Sequence, residues 1–570
     1  MAKLEIKNLP TRKKIVPLVM AVANSIMKEL RFVEIINEAV TWSKGYWNAS
    51  PGTLAKFLVL STFTDIRIPL THLDDRLETI DADFFLSADD KYADVNSYNV
   101  GEALERIGEI DCDGLYETAA LTAFQTYDIP IARMHNDTTT VSFYGEYDLD
   151  KIDLTEEERE EYLRIERGYN KDGRPQCNQV VVGQITNEYG IPLVNRTLDG
   201  STSDIEWNQE AIQYAAQIAA KGFTSGIFVA DCKLVTEEHV REMNDPEKRL
   251  SFVSRCPANF NKKLEIRMIE AAYKNGQWNE LGSFYEGKNA TKYKSISFIE
   301  EVYGSPMRLI VLESDALLQK ANQTFEKKRD KLTPIIKAIE KKAWMCLADA
   351  EKERERFLAM RELELFDCSV TINKQVHEKW PRGRRGANSI PKISETFHLH
   401  IDRIDKSETT YEEFLHSESC FVLISNVIDG YSDEDLIRTY KGQHVVENSF
   451  RMLKSPQLAS VIYLKKPTRI KALNMILTFS LLVRALIQFR LREGLKSFNE
   501  EHPNEKIYAG WGSRPLVAPT FKLLYEHSIN CCFERENWGH YSFCWLSNVT
   551  RNRVEPLLEL MSLSLEKLLE

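Results

Sequence analysis

The chain contains 570 residues, too many for a single hydrophobic core, so we expect about two to four domains. With 43% hydrophobic and 28% charged residues, the composition is that of a folded globular protein and excludes an intrinsically disordered chain. The net charge of −11 does not by itself indicate a nucleic-acid partner, so such a partner has to be indicated by local charge.

The first 128 residues alternate helical patterns with short breaks, and Ser50 followed by Pro51 is typical of a helix start. We therefore predict a helical N-terminal domain over 1–128. This region begins with the charged segment MAKLEIKNLPTRKK, which lacks the pattern of a secretory signal.

From residue 133 the pattern changes to strands. RMHNDTTTVSFYG is followed by VVVGQIT and IPLVNRT, which a turn at 187–190 joins into a hairpin. A helical pattern that closes at Gly222 comes next, and the strands GIFVAD and LSFVSR follow with a helical pattern between them. The predicted order over 129–260 is three strands, helix, strand, helix, strand.

The segment 261–418 differs in composition and is predicted to be an inserted α+β domain. A long charged helical region over 313–360 precedes strand-like pieces around CSVTI and FHLHI. Between these pieces lies the loop KWPRGRRGA, whose Arg382, Arg384 and Arg385 suit DNA phosphates or a narrow minor groove. A plain basic surface loop is the alternative interpretation.

The segment 419–495 begins with a buried strand, CFVLISN, and continues into a helix that starts at Ser432 and stops at Pro456. Asp435 stands at the spacing of a capping box. At about 100° per residue, one arc of roughly 80° on this helix carries five polar side chains. They are Tyr440, Gln443, Glu447, Arg451 and Lys454.

Local charge in this segment differs from the overall charge. Between Arg438 and Lys471 there are eight basic residues and one acid, Glu447. Such a surface can neutralise phosphates, because salt confines each field to about 10 Å. A solvated helix face is the alternative. The apolar run 472–489 is interrupted by Asn474 and Arg484, which predicts a buried helix rather than a membrane span.

Residues 496–570 are predicted to form a C-terminal helical region. The ten cysteines of the chain include no CxxC pair, so neither a zinc ribbon nor a secreted disulfide framework is indicated. We expect a cytoplasmic protein with buried reduced thiols and no membrane partner. One C-terminal group is an alternative candidate for a metal site: His527, Cys531, Cys532, His540 and Cys544.

Three acids stand where catalytic acids are often found. Asp137 lies within the first strand, where a buried charge requires a cation or a donor. Asp231 ends the apolar strand GIFVA, and Glu447 lies in the middle of a helix. If the three converge, they form an oxygen-ligand site for two Mg²⁺ ions that supports phosphoryl transfer. A helix cap for Asp231 and an ion pair with Arg451 for Glu447 are the structural alternatives.

The segments HNDTTTVSFYGEY, IFVADCKLVT and YKGQHVVENSFRMLK resemble the three catalytic blocks of bacterial DDE transposases, specifically the insertion-sequence family four superfamily. In that family the third block reads Tyr-x2-Arg-x3-Glu-x6-Lys. Tyr440, Glu447 and Lys454 fit this spacing, and Gln443 stands at the Arg position. GSTSD at 200–204, FVSRCP and RGRRG extend the resemblance over about 130–490.

The resemblance implies an RNase H-like, retroviral-integrase-like α/β core in two parts, 129–260 and 419–495, interrupted by the insertion domain. The 216 residues between Asp231 and Glu447 leave room for that insertion. Asp137, Asp231 and Glu447 become the expected catalytic residues and metal ligands, with two Mg²⁺ ions as cofactor and Mn²⁺ as a substitute.

The expected activity is that of a DNA transposase, which binds the terminal inverted repeats of its own insertion sequence, cleaves them and joins the 3′ ends to target DNA. Tyr440 and Lys454 are expected to contact DNA phosphates. Gln443 would make a weaker, neutral contact, for which Arg451 would compensate. Gly442 is a helix position where a glycine would permit close approach of the DNA backbone. The partners are double-stranded DNA and a second copy in a synaptic homodimer.

Three points stay open in the sequence. Either terminal region can recognise the ends or dimerise. Trp344 or Trp380 is a candidate for stacking a flipped base, with a core role as the alternative. Finally, a domesticated, transposase-derived DNA-binding protein without catalysis and a nuclease without strand transfer are the rival functions.

Overall fold

The computed structural model describes residues 14–64, 78–145, 147, 162–220, 226–261, 263–284, 290–380, 382, 390–454, 464, 466–512, 514–536 and 540–570. Contacts divide the chain into two compact units. The first comprises Met1–Leu234, Glu242–Phe252 and Thr439–Glu570, and the second comprises Val235–Arg241 and Val253–Arg438. The predicted insertion, 261–418, lies within the second unit.

The helices in chain order are α1 (Leu18–Glu29), α2 (Phe32–Ala39), α3 (Pro51–Ser61), α4 (Ser97–Gly108), α5 (Cys112–Thr126), α6 (Asp204–Ala220), α7 (Glu237–Met243), α8 (Leu264–Asn275), α9 (Asp315–Glu340), α10 (Leu347–Leu358), α11 (Glu408–Ser419), α12 (Asp433–Lys441), α13 (His444–Leu453), α14 (Pro467–Glu501), α15 (Phe521–Ser528) and α16 (Asn548–Leu560). The strands are β1 (Ile15–Pro17), β2 (Arg133–Phe143), β3 (Asn178–Asn187), β4 (Pro192–Leu198), β5 (Ile227–Ala230), β6 (Phe252–Arg255), β7 (Asn279–Ser283), β8 (Lys292–Val302), β9 (Ser305–Ser314), β10 (Phe366–Lys379), β11 (Lys392–Lys406), β12 (Cys420–Ser425), β13 (Cys532–Arg535) and β14 (Tyr541–Cys544).

The first unit contains a mixed sheet in which four strands lie in the order β4, β3, β2, β5. β2, β3 and β4 are antiparallel neighbours, whereas β5 runs parallel to β2. The β3–β4 hairpin turns at 187–190, where Gly190 adopts a φ of 76° and donates its N–H to Asn187. The predicted order of strands and helices is confirmed, while Gly222 lies outside the described residues.

The core of the first unit is built around α14. This helix packs against β4 and the helices α1, α3, α4 and α5. Phe479 is its central aromatic, with edge-to-face contacts to Phe32 and Tyr116 at ring-centroid distances of 4.6 and 5.4 Å. By length and composition α14 would pass for a membrane span, yet 83% of its most apolar window is buried, as in the core helix of a soluble fold. The predicted buried helix is therefore observed.

Helix starts in the first unit follow their sequence signals. The Ser50 hydroxyl accepts the Thr53 N–H at 3.2 Å, and Pro51 occupies the first turn of α3, as predicted. The predicted all-helical C-terminal region is wrong in one respect. β13 and β14 pair with each other, and β1 from near residue 15 pairs with β13, so the ends of the chain share a three-stranded sheet.

The second unit contains the strands β6, β12, β9, β8 and β7 in that order. It also contains the long antiparallel hairpin β10–β11, which confirms the strands predicted around CSVTI and FHLHI. The single charged helical region predicted over 313–360 is divided into α9 and α10. The break follows from Trp344, which is 8% exposed and packs with Ala350, Phe397 and Leu399 between the two helices.

Candidate active site

Two of the predicted acids lie side by side in the first unit. The parallel register pairs Arg133 with Ile227 and His135 with Val229. Two residues further along both chains, the register brings Asp137 on β2 level with Asp231, which directly follows β5. Neighbouring strands lie about 4.8 Å apart, so the two carboxylates occupy the same end of the sheet.

Burial raises the pKa of both acids. The pKa of Asp137 is raised to about 6 because burial disfavours its charged form; Lys171 and the N–H of Thr138 oppose the shift, and Asp231 adds to it. The pKa of Asp231 is also raised, again chiefly by burial. Carboxylates in this condition are stabilised by an added cation, so their chemistry fits a divalent metal.

A lysine that the sequence analysis missed stands among these acids. The Lys171 ammonium lies 3.8 Å from the Asp137 carboxylate and 2.9 Å from that of Asp204. It also donates to the carbonyl and hydroxyl of Thr138, at 3.0 and 2.6 Å. Asp204 is the last residue of GSTSD, a segment already singled out, whereas Lys171 belongs to a loop whose target no local pattern reveals.

The next residue connects the same loop to the predicted Glu helix. Asp172 accepts a hydrogen bond from the Lys454 ammonium at 2.6 Å, just beyond α13. The adjacent residues Lys171 and Asp172 thus make ion pairs with opposite sides of the site. Lys454, predicted as a phosphate contact, is bound to an acid of its own chain.

The predicted continuous helix from Ser432 is wrong. Its start is confirmed, because Ser432 and Asp435 exchange side-chain-to-backbone hydrogen bonds as a capping box. However, α12 ends at Lys441 and α13 begins at His444, so the five polar side chains do not share one face. Gly442 lies at the break, where an added Cβ would stand 2.9 Å from the His135 ring. This packing explains the glycine without DNA.

Two hydrogen bonds fix α13 on the strands that carry the acids. Gln443 donates its side-chain amide to the Asn136 carbonyl at 2.7 Å, and Ser449 donates to the Gln184 side chain at 2.6 Å. Gln184 lies directly opposite Asp137 in the β2–β3 register. Gln443 therefore faces the protein interior in this structure rather than solvent.

Glu447 lies between those two anchors on α13, with an exposed side chain. Arg451 is also exposed, and the alternative ion pair between it and Glu447 is not formed in the described part of the chain. Among the described residues, no three His, Cys, Asp or Glu side chains are grouped closely enough to hold a metal. The convergence of Glu447 with the two aspartates stays a prediction.

The basic stretch 438–471 is largely neutralised within the chain. Four of its residues have carboxylate partners: Arg438 with Glu434, Lys454 with Asp172, Lys466 with Glu105, and Arg469 with Glu102 and Glu105. Tyr440, the first residue of the matched third block, is half-buried on α12. The predicted positive surface is thus reduced, and Arg451 is an exposed cation on the helix of Glu447.

The remaining candidates lie elsewhere. Arg382 is exposed between β10 and β11, while Arg384 and Arg385 lie outside the described residues. Trp344 is a core residue, as its alternative interpretation stated, and Trp380 is half-buried. Cys532 and Cys544 face each other in the β13–β14 pair.

Comparison with known proteins adds one distant likeness. The fold is similar to that in a cryo-EM structure of the piggyBac transposase synaptic complex with hairpin DNA, with a TM-score of 0.39 and 10% sequence identity over 97% of this chain and 88% of that chain. No family model matches the chain, and no curated protein matches it. Similarity at this level assigns no role to any residue, so the functional argument rests on the site itself.

Proposed function

We propose that this chain is a bacterial DDE transposase of the insertion-sequence family four superfamily. It binds the terminal inverted repeats of its own element, cleaves them and joins the freed 3′ ends to target DNA. The observation that carries the proposal is the level placement of Asp137 and Asp231 on adjacent parallel strands. The three sequence blocks around Asp137, Asp231 and Glu447 support it independently.

In this proposal Asp137, Asp231 and Glu447 hold two Mg²⁺ ions, for which Mn²⁺ can substitute. Bound there, the ions would supply activation of the attacking oxygen and stabilisation of the leaving oxygen. The donor chemistry fits, because carboxylate oxygens are the ligands these hard cations prefer. The raised pKa of Asp137 and Asp231 supports the same assignment, since both carboxylates would gain from added positive charge.

The other residues of the site position these carboxylates. Gln443 and Ser449 hold the Glu447 helix on β2 and β3. Lys171 offsets the negative charge of Asp137 and Asp204 before DNA arrives. Arg451, exposed one turn beyond Glu447, contacts a DNA phosphate.

The DNA partner is double-stranded, and both element ends must be held together, so the active form is a homodimer in a synaptic complex. Arg382, Arg384 and Arg385 of the insertion contribute further phosphate contacts. The protein works in the bacterial cytoplasm, at the nucleoid.

A transposase-derived DNA-binding protein without catalysis is the second candidate. One observation favours it: Glu447 is exposed and forms no three-acid group with Asp137 and Asp231 in the described chain. Retention of all three acids favours the enzyme, because a lineage without catalysis gains nothing from Asp137 inside a strand.

One experiment separates these functions. Purified protein is incubated with Mg²⁺, a supercoiled target plasmid and a labelled duplex taken from the short inverted repeats that flank the coding region. Cleaved and joined products support the transposase. Binding without cleavage supports the second candidate, and cleavage without joining supports a nuclease.

A further inference from the structure

A cavity of about 440 Å³ opens beside Asp137 within the first unit. It is formed by β2, the loop that precedes β3, the start of α6 and the segment after β5. This volume lies within the range of small-ligand pockets, roughly 300–1,000 Å³, and a DNA duplex is too wide to enter it. The side chains that matter for its chemistry are Thr138, Thr140, Tyr169, Lys171, Asp204 and Lys233.

One end of the cavity is polar and carries the cations. Lys233 is exposed and follows Asp231 by two residues, with its N–H donated to that carboxylate at 3.0 Å. Lys171 is fully engaged by Asp204 and Thr138, so it lowers the local negative charge instead of presenting a free ammonium. The chemistry of this end therefore suits a phosphate, held mainly by Lys233.

The other end presents an aromatic ring. The Tyr169 side chain is 85% exposed, which is unusual for a large ring on a constrained backbone. The backbone there is fixed, because the Tyr169 carbonyl accepts from Gln179 and the Asn170 amide donates to Ser142 and Gln179. At Gly168 an added Cβ would stand 2.1 Å from the Gly200 carbonyl oxygen, so the loop lies directly on its neighbour. Little ordering entropy remains when a base stacks on this ring.

We propose that this cavity binds one nucleotide of a DNA strand that lies out of the duplex beside the cleaved position. Its base stacks on Tyr169, and its phosphate lies at Lys233. The assignment rests on the proposed function and adds a subsite to it. Strand cleavage next to Asp137 and Asp231 needs the strand locally unpaired or distorted, and an unpaired base requires a stacking partner.

Photo-crosslinking tests the subsite without requiring cleavage. The probe is a 12-nucleotide oligothymidine with one central 5-iodouracil, bound to the full chain in Ca²⁺ and irradiated at a wavelength that excites iodouracil. Mass spectrometry identifies the linked residue. We expect Tyr169 to be the main crosslinked aromatic, with yield lost in Tyr169→Ala and retained in Tyr169→Phe.

The chain offers matched controls. Tyr46 is 86% exposed and lies outside the cavity, so Tyr46→Ala leaves the yield unchanged. Lys233→Ala lowers the yield several-fold, whereas Lys506→Ala, which removes an exposed lysine elsewhere, does not.

Crosslinking that is spread over other aromatics, or that Tyr169→Ala leaves unaffected, overturns the subsite. The outcome is independent of the plasmid assay. A wild-type chain that cleaves element ends but crosslinks elsewhere keeps the proposed function and removes only this inference.

Discussion

Gln443 donates its side-chain amide to the main-chain carbonyl of Asn136 at 2.7 Å, and this bond joins the helix of Glu447 to the strand of Asp137. Asn136 immediately precedes Asp137, and Gln443 stands one helical turn before Glu447. The hydrogen bond therefore sets how far the two acids are apart. A residue that the family pattern assigns to phosphate binding has a positioning role in this structure.

Replacing Gln443 by Ala tests that role. We expect a loss of stability of about 1 kcal/mol for the hydrogen bond and a fall in cleavage rate of up to about 10²-fold, because the Glu447 carboxylate loses its position. The salt dependence of DNA binding should not change. Asn448→Ala, at an exposed position on the same helix, is the control. If Gln443→Ala instead reduced the salt dependence, Gln443 would be a DNA contact.

Gly442→Ala tests the packing at the helix break. The new Cβ would lie 2.9 Å from the His135 ring and 3.1 Å from the Thr439 carbonyl, so we expect destabilisation of about 1–3 kcal/mol in thermal or urea unfolding. Gly510→Ala is the matched control, because its Cβ meets nothing within 4 Å. A stable Gly442→Ala protein with weakened DNA binding would contradict this explanation and favour close approach of DNA.

Arg451→Ala tests the exposed cation on the Glu447 helix. Loss of one phosphate contact should lower the slope of log K against log salt by about 0.9. Fluorescence anisotropy of an element-end duplex over a salt series measures this slope. Arg514→Ala removes an exposed arginine outside the site and should leave it unchanged. Equal slopes for wild type and Arg451→Ala would exclude the contact.

A buried lysine gives a prediction for stability against pH. Burial lowers the pKa of Lys56 to about 8, and Asp90 opposes part of the shift; the side chain is 2% exposed. Because the unfolded lysine titrates near 10.5, the folded state is penalised below pH 8, and the penalty disappears as pH rises from 8 to 10.5. Lys56→Met should therefore stabilise the protein by about 2–3 kcal/mol at pH 7.

Urea unfolding of Lys56→Met at pH 7 and pH 10 measures that difference, and the gain should shrink at the higher pH. Lys506→Met, at an exposed position, should give no gain at either pH. A pH-independent gain would mean that packing, and not the charge, causes the effect.

The sequence predicts the local elements of this protein better than their meeting points. The alternation in β2, the hairpin turn at Gly190 and the capping box at Ser432 are local signals, and each is present in the structure. The break at Gly442 was missed because its cause, the His135 ring, lies about three hundred residues away in the chain.

The site shows the same division. The strand-end position of Asp231 is a local signal, and its alignment with Asp137 follows from the order of strands. The ion pairs of Lys171 with Asp204 and of Asp172 with Lys454 join distant segments, and no spacing in the sequence encodes them. For that reason the positive surface predicted over 438–471 was overestimated.

The most direct test of the account is the cleavage of element-end DNA in Mg²⁺ by Asp137→Asn, Asp231→Asn and Glu447→Gln. We predict that each variant binds the ends as tightly as wild type but gives no detectable cleavage, whereas Glu301→Gln, at an exposed acid of the second unit, cleaves normally. Wild-type cleavage by any of the three would remove that carboxylate from the reaction and contradict the central claim.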